Sequence, residues 1–550
     1  MPISSDQIIL SAAAMRRADR RTIEEFGIPS FALMETAARG VADEIERRLG
    51  RLSERAVLVL AGPGNNGGDG LAVARLLFQR GADVFVLFHA GAEQGSPETR
   101  LNLELLRRLP DSEEQMLTLH RFPAEGAIDA AVSEVREAIG PWGPFDLAVD
   151  ALLGIGTTGA LRGSIGAMAE FALAAKSVCA VDVPTGIDTD TGERLSAGGI
   201  HADFTVTMAA TKPCHWLGAG PRSSGDVVTV DIGLPQHLME EALAAGGSAR
   251  VASAATVAAF LGRASRGDHK FAVGQAGVVA GSNRYSGALI LASRAAAQCG
   301  AGYVVCASTE RATAALDAQL PEVVALSFRA TETGTLPGAA AAPILAEFRS
   351  CRACLVGPGL AFTKDESSRN EIRSLVSAIV LGLDAPLVLD ADGLNALDGP
   401  EALKAVHDRT GSTVMTPHPK EFQRLIDASG LASDTDPGED RPTWRAALWA
   451  KRLGAVLVLK GSPTVIAAPT GETYVAPDTS RALATAGSGD VLAGMITGLM
   501  AQGIDPLEAA VAAVHLGLEA AAAYEETNAA PSCQASDLID RIPTVLRRAR

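Results

Sequence analysis

Two stretches of this chain combine residue types and spacings suited to holding a phosphate-bearing ligand. The first is Gly62-Pro63-Gly64-Asn65-Asn66-Gly67-Gly68-Asp69-Gly70, which follows the buried-strand pattern of residues 56–61 and runs directly into a helical pattern. Glycines permit positive φ and close backbone approach, while Asn and Asp place polar groups where a helix dipole is positive. The stretch matches neither GxGxxG nor the Walker pattern, so it predicts a phosphate cradle of another kind. The second is Thr485-Ala486-Gly487-Ser488-Gly489-Asp490, which opens a helical pattern over residues 491–500. Free N–H groups at such a terminus can hold a transferring or leaving phosphate, and Asp490 beside them is a candidate general base.

Other polar groups fall at the ends of strand patterns. Asp150 precedes Gly154-Ile155-Gly156-Thr157-Thr158-Gly159, and Asp182 opens Asp182-Val183-Pro184-Thr185-Gly186. A carboxylate at the end of a buried strand is costly unless paired, and a bound cation would supply the pair. In the C-terminal half, Lys460-Gly461-Ser462-Pro463-Thr464, Asp390-Ala391-Asp392-Gly393-Leu394-Asn395 and Thr416-Pro417-His418-Pro419-Lys420-Glu421 also follow strand patterns. His418 alone reads as a structural histidine, and its neighbours turn the reading towards a ligand contact.

Such residues need rigid elements to hold them. In the first half, strand patterns at 56–61, 83–88, 146–151, 178–183, 204–208 and 227–231 alternate with helical patterns such as 71–80, 98–109 and 165–175. In the second half, strand patterns at 277–280, 303–306, 355–356, 387–390, 413–416 and 456–459 alternate with Ala-rich helical patterns from 286–298 to 506–524. Alternation of this kind predicts α/β architecture with right-handed crossovers and mostly parallel sheets, whose ligands bind beyond the carboxyl ends of the strands. A chain of 550 residues exceeds one core, so two domains are expected, 1–235 and 256–550. The weakly patterned stretch 236–255, with Gly246-Gly247-Ser248, reads as the linker.

Apolar residues at 47% and charged residues at 20% describe a folded protein, and aromatics at 4% leave the core to Ala, Val, Leu and Ile. A net charge of −16 repels nucleic acid and anionic membranes, so any anion must be caught by local N–H groups. Residues 8–10 are too short for a signal-peptide core, and Asp384 and Pro386 interrupt the most apolar region, so a soluble cytoplasmic protein is expected. Seven cysteines suit a reducing compartment, and the Cys351/Cys354 pair reads as buried thiols rather than a metal or redox site.

The Asn65–Gly70 stretch, the Asp150 segment and Asp182–Gly186 together resemble the N-terminal domain of the YjeF family, the NAD(P)H-hydrate epimerases, over about residues 10–235, including Leu33-Met34-Glu35 upstream. The resemblance implies that Asn66, Asp150 and Thr185 coordinate potassium, Thr185 standing where many members have Ser. It also implies that Asn65, Asn66, Gly67, Gly68, Asp69, Gly154, Ile155, Gly156, Thr157, Thr158, Gly159, Ala160 and Asp182 line the hydrated nicotinamide nucleotide, with Asp182 catalytic.

The Asp390–Asn395 and Thr416–Pro419 motifs, with Tyr285-Ser286-Gly287 and Gly357-Pro358-Gly359, resemble the ribokinase-like branch that contains ADP-dependent NAD(P)H-hydrate dehydratase, over about residues 265–525. By that resemblance Lys460, Gly461, Ser462, Pro463 and Thr464, together with Thr485, Ala486, Gly487, Ser488 and Gly489, bind the adenine nucleotide. Ala288, Gly359, His418 and Asp490 contact the hydrated substrate, with Asp490 as catalytic base. Two departures stand out: Lys420 and Ala361 occupy positions where the family pattern has Gly, and both are expected to add a side chain near the substrate face.

The two resemblances imply an N-terminal Rossmann-like doubly wound sheet of YjeF type and a C-terminal ribokinase-like α/β domain. They imply a bifunctional repair enzyme that epimerises the R and S hydrates of NADH and NADPH (an isomerase) and dehydrates the S hydrate with ADP, giving AMP and phosphate (a lyase). Potassium, ADP and magnesium are the implied ligands, although no ligand set for magnesium can be read. Partners are expected to be the small-molecule hydrates NADHX and NADPHX and ADP, with no nucleic acid and no membrane, and the assembly a homo-oligomer. Two alternatives stay open: a vitamin-type kinase in the second domain, and a first domain that only binds or scaffolds.

Overall fold

The computed structural model describes residues 8–110, 115–157, 159–196, 198–262, 270–431, 436–438, 441–476 and 480–550. Thr158, one of the expected substrate contacts, lies outside the described residues. Contacts divide the chain into two compact units, Met1–Ala249 and Arg250–Arg550.

In the first unit seven strands run parallel in the order Leu117–Phe122, Asp83–His89, Ala56–Ala61, Leu147–Ala151, Val178–Val181, Phe204–Met208, Asp226–Val230. Val57, Val59 and Ala61 point into one apolar cluster with Val41 and Leu71, and Leu58 and Leu60 into another with Met168 and Phe171. With both faces covered, the central strands are apolar along their whole length, which is what made them readable. The edge strand Leu117–Phe122 is only partly buried over most of its length, and its polar residues hid it from the sequence reading. From Ala56–Ala61 the chain moves outward on one side, then returns to the other side at Leu147–Ala151. The switch point, where ligands bind in such sheets, therefore lies between these two strands.

The stretch expected as the linker is ordered over most of its length. Helix Gln236–Leu243 buries Leu238, Met239 and Ala242, at the spacing of one helical face, and Met239 and Ala242 join the first unit's core. The chain passes to the second unit at Ala249/Arg250.

In the second unit the strand order is Thr473–Ala476, Thr464–Ala467, Val456–Leu459, Thr413–Met415, Leu387–Leu389, Ala353–Val356, Gln275–Val279, Tyr303–Thr309, Val324–Phe328, with Arg250 and Val251 pairing alongside Tyr474 and Val475. The pairings are parallel except where Val456–Leu459, Thr464–Ala467 and Thr473–Ala476 form consecutive antiparallel hairpins. Here the switch point lies between Gln275–Val279 and Ala353–Val356. Helix Pro506–Glu525 is long and apolar enough, by length and composition only, to cross a membrane, a stretch that the sequence reading did not single out. Its Ala509–Val514 run, Leu516, Ala520 and Ala521 are packed in the unit's core, which accounts for the apolarity. All seven cysteines, Cys351 and Cys354 included, are buried free thiols.

Candidate active sites

The asparagine and glycine stretch of the first unit is not a loop. Helix Asn65–Gln79 begins within it, capped by Gly64 without a side-chain hydrogen bond. None of Gly62, Gly64, Gly67, Gly68 and Gly70 has positive φ, and all but Gly64 serve close approach, since a Cβ on Gly64 would meet nothing within 4 Å. A Cβ on Gly67 would sit 2.0 Å from the Gly62 carbonyl oxygen, and one on Gly70 would sit 2.4 Å from the Ala151 Cβ. The helix N-terminus is thereby pressed against the switch point, with its first N–H groups directed at a cavity of about 510 Å³.

Asn65, Asn66, Asp69, Gly154, Ile155, Gly156, Thr157 and Asp182 line that cavity, as expected. Gly67 and Gly68 do not, because they face Gly62 and the Thr99 and Met34 side chains, and Gly159 and Ala160 also lie outside the lining. Asp150 and Thr185 sit beneath it. The Asp150 carboxylate accepts from Thr185 N (2.8 Å), Thr185 Oγ1 (2.7 Å) and Leu152 N (3.2 Å). Burial pushes its pKa up to about 6 against these three donors. Asn66 Nδ2 donates to Leu153 O (3.0 Å), and its Oδ1, beside Gly154, has no donor among the described residues. Asn66, Asp150 and Thr185 thus converge on Leu152–Gly154 as a set of hard oxygen donors. With neutral oxygens and a single carboxylate, this set suits a monovalent ion better than a transition metal.

Asp182 has its partner inside the protein, which corrects the expectation that a cation must supply it. Lys212, 1% exposed, donates to Asp182 Oδ1, Thr207 Oγ1 (2.8 Å) and Met208 O (3.0 Å), using all three of its hydrogens. Burial alone would raise the Asp182 pKa, but the Lys212 ammonium more than offsets it and holds the carboxyl below its usual range. The backbone of Asp182 is left-handed at φ +68, unusual for a non-glycine residue. Its carbonyl is held by His215, whose Nδ1 accepts from Lys212 N (3.0 Å) and whose Nε2 therefore donates to Asp182 O (3.1 Å). Burial and Lys212 push the His215 pKa down to about 3, so the ring is neutral. Sequence reasoning missed Lys212 and His215. The signal available was a charged residue in the Lys212-Pro213 segment just beyond a fully buried strand.

In the second unit, helix Ser488–Ala501 begins at Gly487, φ +90, with no side-chain cap. The N–H groups of Gly489 and Asp490 meet no protein acceptor among the described residues, which leaves an anion site. Lys460 Nζ donates to Asp390 Oδ1 (2.9 Å) and lies 4.0 Å from Glu421 Oε2, and Thr416 Oγ1 also donates to Asp390 Oδ1 (2.7 Å). A Cβ on Gly489 would come 3.4 Å from Lys460 Nζ and 3.8 Å from Asp390 Oδ2, so the helix terminus abuts this ion pair. Burial, then the Asp390 charge, pushes the Asp490 pKa up to about 7, with Lys460 opposing and Asp392 adding.

A cavity of about 320 Å³ extends from Lys460, Gly461, Ser462, Thr464, Ser488 and Gly489 along an apolar wall that includes Val491, Met495, Val514 and Ile542. Pro463, Thr485, Ala486 and Gly487 do not line it. Residues 460–463 form the turn between antiparallel strands Val456–Leu459 and Thr464–Ala467, a hairpin that the sequence reading did not resolve. At the switch point, Gly359 (φ +65) approaches Ala288 so closely that a Cβ would lie 2.7 Å from the Ala288 Cβ, which brings these two predicted contacts together.

His418 is first of all a helix cap. Its Nδ1 accepts from Lys420 N (3.1 Å) and Glu421 N (3.3 Å), while Glu421 Oε2 accepts from His418 N (2.9 Å). The ring stays partly exposed with Nε2 3.4 Å from Glu421 Oε1. Lys420 is exposed at the start of the helix. Ala361 takes the φ of +66 that the family's Gly would favour, and its N–H donates to Asp392 Oδ2 (2.8 Å). An alanine in that region costs about 1–2 kcal/mol, partly offset by the greater chain entropy of Gly, about 0.5–1 kcal/mol. Ala361→Gly is therefore expected to stabilise the second unit by up to about 1 kcal/mol, read as a higher urea midpoint with unchanged slope.

Residues 30–214 match the family described as YjeF-related protein N-terminus, and residues 276–544 match NAD(P)H-hydrate dehydratase. The chain is 41% identical over 541 residues to a bifunctional NAD(P)H-hydrate repair enzyme Nnr of Salinibacter ruber, covering 98% of this chain and 96% of that one. It is 35% identical over 542 residues to the enzyme of the same name from Moorella thermoacetica, with the same coverage. Among solved structures, an ADP/ATP-dependent NAD(P)H-hydrate dehydratase from Bacillus subtilis, co-crystallised with ATP and Mg2+, aligns at 30% identity and TM-score 0.44, over 55% of this chain and 98% of that one. Since the identity to Nnr proteins extends through both units, the chain belongs to the family of bifunctional NAD(P)H-hydrate repair enzymes.

Proposed function

We propose that the first unit epimerises the R and S hydrates of NADH and NADPH at the cavity holding Asp182, and that the second dehydrates the S hydrate with ADP at Asp490. The observation that carries this reading is that each sheet has its own ligand-sized cavity at the carboxyl ends of its strands, lined by Asp182 in the first unit and by Ser488 and Gly489, next to Asp490, in the second. In the second site Asp490 takes the proton of the C6 hydroxyl, whose oxygen attacks the terminal phosphorus of ADP and releases AMP. The C6–O bond then breaks with phosphate leaving, and loss of a C5 proton restores the dihydronicotinamide. Gly489 and Asp490 N–H stabilise the transferring phosphoryl group, and the apolar wall from Val491 to Ile542 holds the adenine. Ala288, Gly359 and His418 are assigned to the hydrate, and magnesium accompanies the nucleotide. The same reading makes 1–235 and 256–550 the two catalytic domains, in a cytoplasmic homo-oligomer. Seven buried free thiols support a reducing compartment.

Potassium is assigned to Asn66, Asp150 and Thr185, where it would neutralise the buried Asp150 and tie helix Asn65–Gln79 to the two loops behind the cavity. Epimerisation is expected to rise with added potassium, and a crystal soaked with a heavier monovalent ion should give an anomalous peak between these residues. A site that stays empty at saturating ion removes the assignment.

A further inference from the structure

The first cavity gathers more carboxylates than its single buried ammonium can neutralise. Asp19, from helix Ala12–Arg21, Asp69, from helix Asn65–Gln79, and Asp182 all line it, together with Glu98, Arg16 and Lys212. Glu98 is bonded to Ser30 Oγ. Arg16 lies over Gly156, where a Cβ would fall 2.2 Å from its Nη1. Lys212 has spent its three hydrogens on Asp182, Thr207 and Met208, so its charge is committed to Asp182. His215, behind Asp182, is neutral. Asp69 has no hydrogen-bond partner in the protein among the described residues and faces the cavity from the first turns of its helix. Asp182 holds the ammonium and Glu98 the Ser30 hydroxyl, so repulsion among the carboxyls gathered here is relieved by a proton on one that has neither.

We propose that Asp69 is the proton donor of the first site and Asp182 its anionic partner, an assignment that rests on the epimerase reading above. Burial and the charges of Asp182 and Asp19, only partly opposed by Lys212, hold the Asp69 carboxyl well above its usual range, in line with this geometry. Two acids driven apart by their surroundings divide acid and base duties. For a carbinolamine the division works as follows. Asp182 takes the proton of the C6 hydroxyl, and the oxygen pair forms a carbonyl as the N1–C6 bond breaks. The N1–C6 electron pair goes to N1, which takes the proton of Asp69. Rotation about C5–C6 and reversal of the same steps close the ring on the other face. Both protons return, and no further reactant is needed.

The test follows interconversion of separated R and S hydrates by full-length protein without ADP, so that the second site stays idle. Asp69→Asn is expected to lose about 10²–10⁴ in rate, with partial recovery in Asp69→Glu and unchanged ADP-dependent dehydration of the S hydrate. Infrared difference spectra at neutral pH supply a readout that a purely structural role would not move. Subtracting the spectrum of Asp69→Asn from that of the unsubstituted protein should leave the carbonyl band of a protonated carboxylic acid, the contribution of Asp490 cancelling between the two. Epimerisation by Asp69→Asn within about threefold of the unsubstituted protein, or a subtraction that leaves no such band, overturns the proposal. An unsubstituted protein that fails to interconvert the hydrates defeats the epimerase reading instead, and the infrared subtraction still decides whether Asp69 carries a proton.

Discussion

Asp490→Asn is expected to lower ADP-dependent dehydration of the S hydrate by about 10²–10⁴, the worth of a positioned general base. The carboxyl stands at the free N-terminus of helix Ser488–Ala501, against the Lys460–Asp390 pair, where phosphoryl transfer needs both a base and N–H donors. Because its pKa is pushed up to about 7, the basic form accumulates only as pH rises through that value. The dehydration rate of the unsubstituted protein should therefore climb with pH to about 7 and level off above it, and the Asn variant should lose this limb. Stability should move the opposite way. A carboxyl raised above its unfolded value of 3.8 binds its proton more tightly in the folded state, so the second unit loses stability as pH rises between the two values. Asn carries no charge to bury, and its melting temperature at pH 8 should equal or exceed that of the parent. Lost activity with retained stability separates a catalytic role from misfolding.

Asp182→Asn is expected to abolish epimerisation while leaving dehydration intact. The substitution removes the charge that Lys212 pairs with and strands a fully buried ammonium, so a folding cost of about 3–5 kcal/mol accompanies it. Binding of the nucleotide by the second unit, measured by calorimetry with ADP, should be unchanged. With a mixture of epimers and ADP, recovery of reduced-nicotinamide absorbance should show a fast phase equal to the S fraction. A slow phase at the spontaneous epimerisation rate should follow.

How legible the chain was depended on burial. Strand Ala56–Ala61 and its neighbours read clearly because both faces are covered. Strand Leu117–Phe122 and the hairpins at Thr464–Ala467 and Thr473–Ala476 did not, because an edge strand and short hairpin strands lack a long apolar run. Asn65, Asn66, Asp69, Gly154–Thr157 and Asp182 were named through the family resemblance, and the structure gathers them around one cavity. Of the two uses read for the glycines between them, freedom to turn and close approach, the structure shows the second, which lets helix Asn65–Gln79 touch Gly62 and Ala151. Lys212 and His215 were out of reach because pairing partners depend on which loops fold back over a strand end. His418 carried a double role that only geometry separates, since a cap and a ligand contact place the same residue before a helix.

The central claim is that two reactions run on two sites that do not share residues, and complementation between variants tests it most directly. Asp182→Asn retains the dehydrating site and Asp490→Asn the epimerising site. Each is incubated with the epimer mixture and ADP, alone and then in equal amounts together. Alone, Asp182→Asn should recover only the S fraction quickly and Asp490→Asn almost none. Mixed, they should restore rapid recovery of the whole hydrate pool. A mixture that remains biphasic, with the slow phase of Asp182→Asn unchanged, would contradict the assignment of one complete reaction to each unit.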